Sequence, residues 1–394
     1  MLPPVSGHPE GSAAPPPGGT HAPRRRASVH IYRRYLRGPA GGQLHAIALA
    51  AAAAHLGYDV TCGSIDGLTR SEAERNSGLD LTRVEFVTHR SEDAVRPVCD
   101  LLVHVDNADL NLARPEGGAL VGFVYVPFRF INPLLDVARH ARNRVIGRSG
   151  YDLAWRRIGR YDAFWTISQF SRDCIMRRWH VDSTVLYPPL LQAPADVPTG
   201  AKRDRTVIVL GQIIPVKQQL ELLRVFGASK LSSRYRIRVV GSSIGSDPGY
   251  LAEVRESAAT LGGSVELDLP RADVLHALST TRMLWHGMGV GVDGRRRPEA
   301  IEHFGMAVLE AMAFGSIPIA ASIGGPGELL PARLHAQQMS DFAAIAERID
   351  RLIEDGDRSI EEELRRTAQR FAWPQFVASA GRLLDEVIAT TRPT

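Results

Sequence analysis

Lysine is scarce in this 394-residue chain: only Lys202, Lys217 and Lys230 stand among 47 basic residues. Every other cation is arginine, a bias that reflects codon composition, so a lysine at a suggestive position carries more information than usual. Cysteine is nearly absent. Cys62, Cys99 and Cys174 are widely spaced and odd in number, which excludes a disulfide framework and a CxxC metal site. No uninterrupted apolar run approaches the roughly 20 residues of a membrane-spanning helix, and the alanine-rich stretch from Ala46 to Leu56 is broken by His55. Residues 1–27 lack the continuous apolar core of a signal peptide, so nothing there directs export. These absences lead to the expectation of a cytoplasmic protein, at most peripheral at the inner face of the membrane.

What is present reads as two domains. The length exceeds what a single core commonly supports, and the net charge of +4 is small for it. Residues 1–27, rich in Pro, Gly, Ser and Ala, read as a disordered tail. From Ser28 strand and helix alternate: SVHIY, then the glycine loop GPAGGQ, the helix LHAIALAAAAAHL closed by Gly57, and β-type runs YDVTC, VEFVTH, DLLVHV and ALVGFVYV. Residues 28–190 form this first unit and 191–205 a Pro-rich, then charged linker. A second cycle over 206–372 opens with RTVIVLG and ends past SIPIAAS. Residues 373–394 read as a helix packing back toward the first unit. Alternation of this kind predicts an α/β fold of two doubly wound parallel sheets, whose loops at the carboxyl ends of the strands face a shared cleft.

The stretch EHFGMAVLEAMAFG, residues 302–315, concentrates the chemistry. Gly305 permits close backbone approach, and MAVLEAMAF is a helix whose first N–H groups lack helical partners and so attract an anion such as phosphate. Glu302 precedes this helix and Glu310 lies inside it, on opposite flanks of the anion pocket. A carboxylate accepts paired hydrogen bonds from vicinal hydroxyls, which sugars and riboses supply. Two glutamates near one helix are commonly a dipole-stabilised acid and a solvated side chain; the glycines around them and the strand SIPIAAS followed by GGPGE weigh against that reading.

With these residues the chain resembles the retaining nucleotide-sugar glycosyltransferases of the GT-B fold, specifically glycosyltransferase family four, whose E-x7-E signature is matched by EHFGMAVLEAMAFGSIPIAASIGGPGELL. GPAGGQ, TISQFSRDCIMRRWHVDSTVLYPPL and LGQIIPVKQQ extend the likeness over the chain after the tail. YPPL and the GQ-x-x-P-x-K loop resemble most the lipid-linked-oligosaccharide α-1,2-mannosyltransferases. The resemblance implies that Glu310 binds the donor's ribose and that Glu302 meets the transferred sugar with the amides of Phe304, Gly305 and Met306. It also implies that Gly211 belongs to the donor-binding loop and that Lys217 in that loop neutralises the departing diphosphate with Gly41 and Gly42.

Two departures from the family pattern stand out. Gln212 and Ile214 occupy the positions where an arginine usually accompanies the lysine, and Arg295, Arg296 or Arg297 are candidates to replace it. Where relatives present a cleft histidine, this chain has Tyr125, expected to act in catalysis; His104 is a second cleft candidate, although a lone histidine is commonly structural. No Asp-x-Asp falls in a cleft-forming loop, so neither metal nor cofactor is expected. The arginines between Arg139 and Arg160 read as a solvated face or as a surface for an anionic membrane or phosphorylated acceptor. No nucleic-acid motif or aromatic platform accompanies them.

The expected activity is transfer of a hexosyl unit from a nucleotide diphosphate sugar, GDP-mannose or a UDP-hexose, to a glycan, lipid-linked or small-molecule hydroxyl in glycoconjugate biosynthesis. An epimerase or hydrolase of the same fold, or a non-catalytic nucleotide-sugar-binding subunit, are the alternatives.

Overall fold

The computed structural model describes residues 26–38, 40–105, 112–127, 138, 141–142, 154–192, 194 and 203–391. Nearly all of the tail, most of the 191–205 linker and much of the arginine-rich run lie outside these residues.

The first sheet contains β1 (Ser28–Tyr32), β2 (Asp59–Ser64), β3 (Val84–Thr88), β4 (Leu101–Val105), β5 (Ala119–Phe123), β6 (Ala163–Thr166) and β7 (Thr184–Val185). They lie in the order β3-β2-β1-β4-β5-β6-β7. The second sheet contains β8 (Asp204–Leu210), β9 (Arg236–Gly241), β10 (Ser264–Leu267), β11 (Thr281–His286), β12 (Ile317–Ala321) and β13 (His335–Ala336). Its order is β10-β9-β8-β11-β12-β13. Neighbouring strands pair in parallel, as in β1 with β4 and β8 with β11. Parallel sheets are covered on both faces, which is why LLVHV of β4 and ALVGF of β5 are buried at every position instead of alternating. In each sheet the order reverses once, between β1 and β4 and between β8 and β11, and doubly wound sheets bind their ligands outside the carboxyl ends of the strands at such a reversal.

Two differences from the sequence reading have local causes. The run ALVGFVYV pairs as a strand only to Phe123, because the Val124 carbonyl is taken by the Thr166 hydroxyl at 2.6 Å. β8 begins at Asp204, inside the segment read as linker, because Asp204 pairs with Thr281 of β11.

The helix Gly41–His55 is buried from Leu44 to Ala54, since its alanines allow close approach on all sides. The last helix, Trp373–Thr391, returns from the second unit to lie against it. Phe376 meets His45 with ring centroids 5.9 Å apart, and the Tyr58 hydroxyl donates to Asp385. The chain therefore crosses twice between units, and the crossings are joined where Leu190 N donates to Phe371 O at 2.7 Å. A further tie is Glu328, whose carboxylate accepts from Gln169 N at 3.1 Å, Phe170 N at 2.9 Å and the Tyr187 hydroxyl at 2.9 Å. An acid of the second unit thus caps the helix Gln169–Trp179 of the first.

Candidate active site

Gly211, Lys217 and Glu302 lie at loops that the sheet order positions, whereas Glu310 lies inside the helix Met306–Phe314. Gly211 follows β8, His286 ends β11, and Glu302 precedes the helix Met306–Phe314, so all three stand at the reversal between β8 and β11. The Gly211–Lys217 loop is fixed internally: Gln219 donates to Gln212 O at 2.8 Å, and Gln212 donates to Ile244 O at 2.6 Å. Gln212, at one of the positions where an arginine was missing, is thus a structural tie.

Lys217 Nζ lies 2.5 Å from Glu302 Oε2, and His286 Nε2 lies 2.9 Å from the same oxygen. A carboxylate only accepts, so Nε2 carries the hydrogen that His286 shares. Burial alone pushes the Glu302 carboxyl up, but the Lys217 charge and the His286 hydrogen bond outweigh it and hold the group well below the usual carboxylate range. His286 was not singled out in the sequence. Its only signal was a polar residue ending the otherwise apolar run MLWH.

The helix Met306–Phe314 starts at Gly305, whose φ of 94° and ψ of 61° suit glycine and few other residues. Leu309 N is bonded to Gly305 O at 3.0 Å, so the amides before it have no acceptor within the helix. Neither this helix nor Gly41–His55 has a side-chain cap or an acidic residue in its first turn. Their starts converge: a Cβ on Gly41 would lie 3.2 Å from Met306 Cγ. Two positive helix ends therefore face one another across the units, an arrangement suited to an anion of more than one charge. Phe304, the third residue expected to offer an amide, anchors the loop by burying its ring against Tyr187 and Phe371, at 6.0 and 5.6 Å.

Glu310, expected at a ribose, is buried and held bidentately by Arg271, with Nη1 to Oε2 at 3.1 Å and Nη2 to Oε1 at 2.5 Å. Arg271 opens the helix that follows β10. Arg271 was not singled out in the sequence. Each Glu310 oxygen keeps a second lone pair for a ligand hydroxyl.

In the first unit Tyr125 is buried under the glycine loop. Its hydroxyl donates to Gly42 O at 3.1 Å and lies 3.3 Å from His45 Nδ1. A Cβ on Gly42 would lie 3.0 Å from the Tyr125 ring and 3.2 Å from Arg33 Nη2, so the loop lies flat against both. Arg33 follows β1 at the other reversal point. Its guanidinium stands 5.5 Å over the Tyr125 ring and donates to Val105 O at 3.3 Å and Tyr35 O at 3.2 Å. Among the described residues it forms no ion pair. Burial, then the Arg33 charge, lowers His45 to about 3, so His45 is neutral near pH 7. His104, by contrast, is enclosed within the sheet, its Nδ1 2.8 Å from the Tyr161 hydroxyl. Arg295, Arg296 and Arg297 lie exposed on the loop between β11 and Glu302, and Arg296 reaches Asp293 at 3.3 Å.

Among the described residues no helix is long and apolar enough to cross a membrane. Of the arginine-rich run, Arg142, Arg156 and Arg160 are exposed whereas Arg157 is buried.

Solved structures share this architecture. Anabaena HepE in complex with UDP and glucose superposes with a TM-score of 0.63 at 18% identity, over 92% of this chain and 100% of that one. An alpha-glucosyltransferase in complex with UDP and a 13-mer DNA does so with a TM-score of 0.57 at 13% identity, over 92% and 100%. The fold is accordingly the two-domain GT-B arrangement. In sequence, a Xenopus tropicalis GDP-Man:Man(3)GlcNAc(2)-PP-Dol alpha-1,2-mannosyltransferase is 24% identical over 216 residues, 50% of this chain. The match spans 42% of that relative's length. Residues 196–371, which hold Gly211, Lys217, His286, Glu302 and Glu310, match the model of the family described as glycosyl transferases group 1.

Proposed function

We propose that the protein transfers a hexosyl unit from a nucleotide diphosphate sugar to an acceptor hydroxyl with retention of configuration and without a metal ion. The observation that carries this reading is the convergence of two uncapped helix starts, at Gly41 and Met306, beside the Lys217–Glu302–His286 cluster. In the reaction the bond from the anomeric carbon to the diphosphate oxygen breaks, and charge develops on the diphosphate. The helix ends and Lys217 stabilise that charge in a site shielded from water. The acceptor oxygen bonds to the same face of the anomeric carbon, and its proton passes to the departing phosphate oxygen. Glu302 lies by the transferred sugar with the amides of Phe304, Gly305 and Met306, and Glu310 by the ribose. Tyr125 fixes the turn at Gly42 through its hydroxyl, and Arg33 stands beside that turn as the cation that Gln212 and Ile214 do not supply.

GDP-mannose is the first donor to test, because the Xenopus relative is named for it; UDP-hexoses follow, because the solved relatives hold UDP. The same relative's name motivates a lipid-linked acceptor, with the arginine-rich 139–160 segment turned to an anionic membrane surface. A thermal-shift screen of nucleotide sugars tests the donor, since a ligand at 100 times its dissociation constant stabilises by about 2.7 kcal/mol. The best donor is then incubated with acceptors in the presence and absence of chelator. Transfer that needs magnesium or manganese, or an inverted product, overturns the corresponding part of the proposal.

A further inference from the structure

Lys217 has two claimants. Its ammonium is 2.5 Å from Glu302 Oε2, with both side chains largely enclosed, at 20% and 17% exposure. A diphosphate lodged between the helix starts at Gly41 and Met306 needs that same ammonium. An ammonium has three donors and can bridge two anions, but each added acceptor divides its charge. If Lys217 turned to the diphosphate and Glu302 had no other partner, an enclosed carboxylate would be left uncompensated, which is costly.

His286 removes that difficulty. It ends β11, its side chain is 3% exposed, and its Nε2 is already 2.9 Å from the oxygen that Lys217 shares. Because a rigid strand sets the imidazole, it stays in place whichever way the flexible lysine turns. We propose that donor binding draws Lys217 from Glu302 to the diphosphate, and that His286 is the positioning residue that then keeps the Glu302 carboxylate directed at the transferred sugar. No covalent step is added. The inference rests on the glycosyltransferase reading of this site and adds two consequences: Glu302 competes with the diphosphate for Lys217, and His286 acts through Glu302 on turnover more than on binding.

Calorimetry with UDP and GDP, and initial rates with the donor found by screening, are measured on the full-length wild type and on Glu302→Gln, His286→Ala and His286→Gln. Removing the competing charge in Glu302→Gln is expected to tighten nucleoside diphosphate binding about 3- to 10-fold while turnover collapses. His286→Ala is expected to keep nucleotide affinity within about threefold and lose roughly 10- to 100-fold in kcat. His286→Gln, whose amide N–H reaches toward the same oxygen, is expected to recover much of that loss. Unchanged or weaker nucleotide binding in Glu302→Gln overturns the exchange. A normal kcat in His286→Ala, or equal losses in His286→Ala and His286→Gln with intact folding by circular dichroism, overturns the positioning role. A wild type that binds neither nucleotide fails the glycosyltransferase reading itself and this inference with it, whereas one that binds and transfers isolates the variants as the test.

Discussion

Gly41 and Met306 begin helices in different domains, yet a Cβ on Gly41 would stand 3.2 Å from Met306 Cγ. The contact brings two uncapped helix ends together where a diphosphate is proposed to lie. Met306 is a flexible side chain, so alanine at position 41 is expected to be accommodated with little loss. Leucine has no such room and projects into the space between the helices. Gly41→Leu is expected to weaken UDP or GDP binding at least about tenfold, with a melting temperature close to that of the wild type. Calorimetry and thermal unfolding on the pair Gly41→Ala and Gly41→Leu check this; equal nucleotide affinity in both removes Gly41 from the donor site.

Glu310 carries a structural duty as well as the proposed ribose contact. Substitution by Gln removes the charge that pairs with Arg271, and breaking an enclosed ion pair from one side costs about 3 to 5 kcal/mol at the upper end. Glu310→Gln is therefore expected to lower the melting temperature and also to lose roughly 10- to 150-fold in nucleotide affinity, the equivalent of one or two charge-assisted hydrogen bonds. Arg271→Met is expected to lower stability similarly, and the double variant to lose less than the sum. Full additivity means that the pair seen at 2.5 and 3.1 Å contributes nothing.

The architecture was legible because parallel strands announce themselves as short apolar runs between polar or helical segments. SVHIY, DLLVHV, RTVIVLG and SIPIAAS all became strands, and MAVLEAMAF became the helix Met306–Phe314. The positions of Gly211, Lys217 and Glu302 at one crevice followed from strand order, which the βαβ alternation already implied. The partners were not legible. Arg271 meets Glu310 and His286 meets Glu302 across 39 and 16 residues, respectively, and no local pattern records such a pairing. Tyr125 and His104 show the same limit from the other side. Both end or follow β-type runs, and only the packed structure shows that one hydroxyl holds the Gly42 carbonyl while the other side chain is enclosed against Tyr161.

Two buried histidines set an acid limit on stability. Burial, then the neighbouring His89, lowers His30 to about 4, and burial, then Arg33, lowers His45 to about 3. Both are neutral in the folded protein at pH 5 but protonated in the unfolded chain below its value of 6.5. The unfolded state thus binds more protons in that window, so the contribution of these two histidines to stability is full above pH 6.5 and falls as the pH drops toward 4. The slope expected is on the order of 1.4 kcal/mol per pH unit for each histidine. Urea unfolding of the wild type and His45→Gln at pH 7 and pH 5 measures it. A variant with the same pH slope as the wild type removes His45 from the account.

Arg33 and the arginines of the 295–297 loop are the two candidates for a second cation at the proposed diphosphate site. Arg33 stands 3.2 Å from where a Gly42 Cβ would lie, beside a positive helix end, and forms no ion pair among the described residues. A guanidinium held at the positive end of a helix is unfavourable until an anion arrives, which is the condition of a ligand-binding group rather than a structural one. Arg295, Arg296 and Arg297 lie exposed, and Arg296 at 87% exposure is already turned to Asp293. Arg33→Gln is therefore expected to weaken nucleoside diphosphate binding by roughly 10- to 150-fold at low salt, with a shallower salt dependence than the wild type. The triple variant of Arg295, Arg296 and Arg297 to Gln is expected to change binding by less than about threefold. Isothermal titration with UDP and GDP at two ionic strengths distinguishes the two; a large loss in the triple variant with a normal Arg33→Gln transfers the role to the loop.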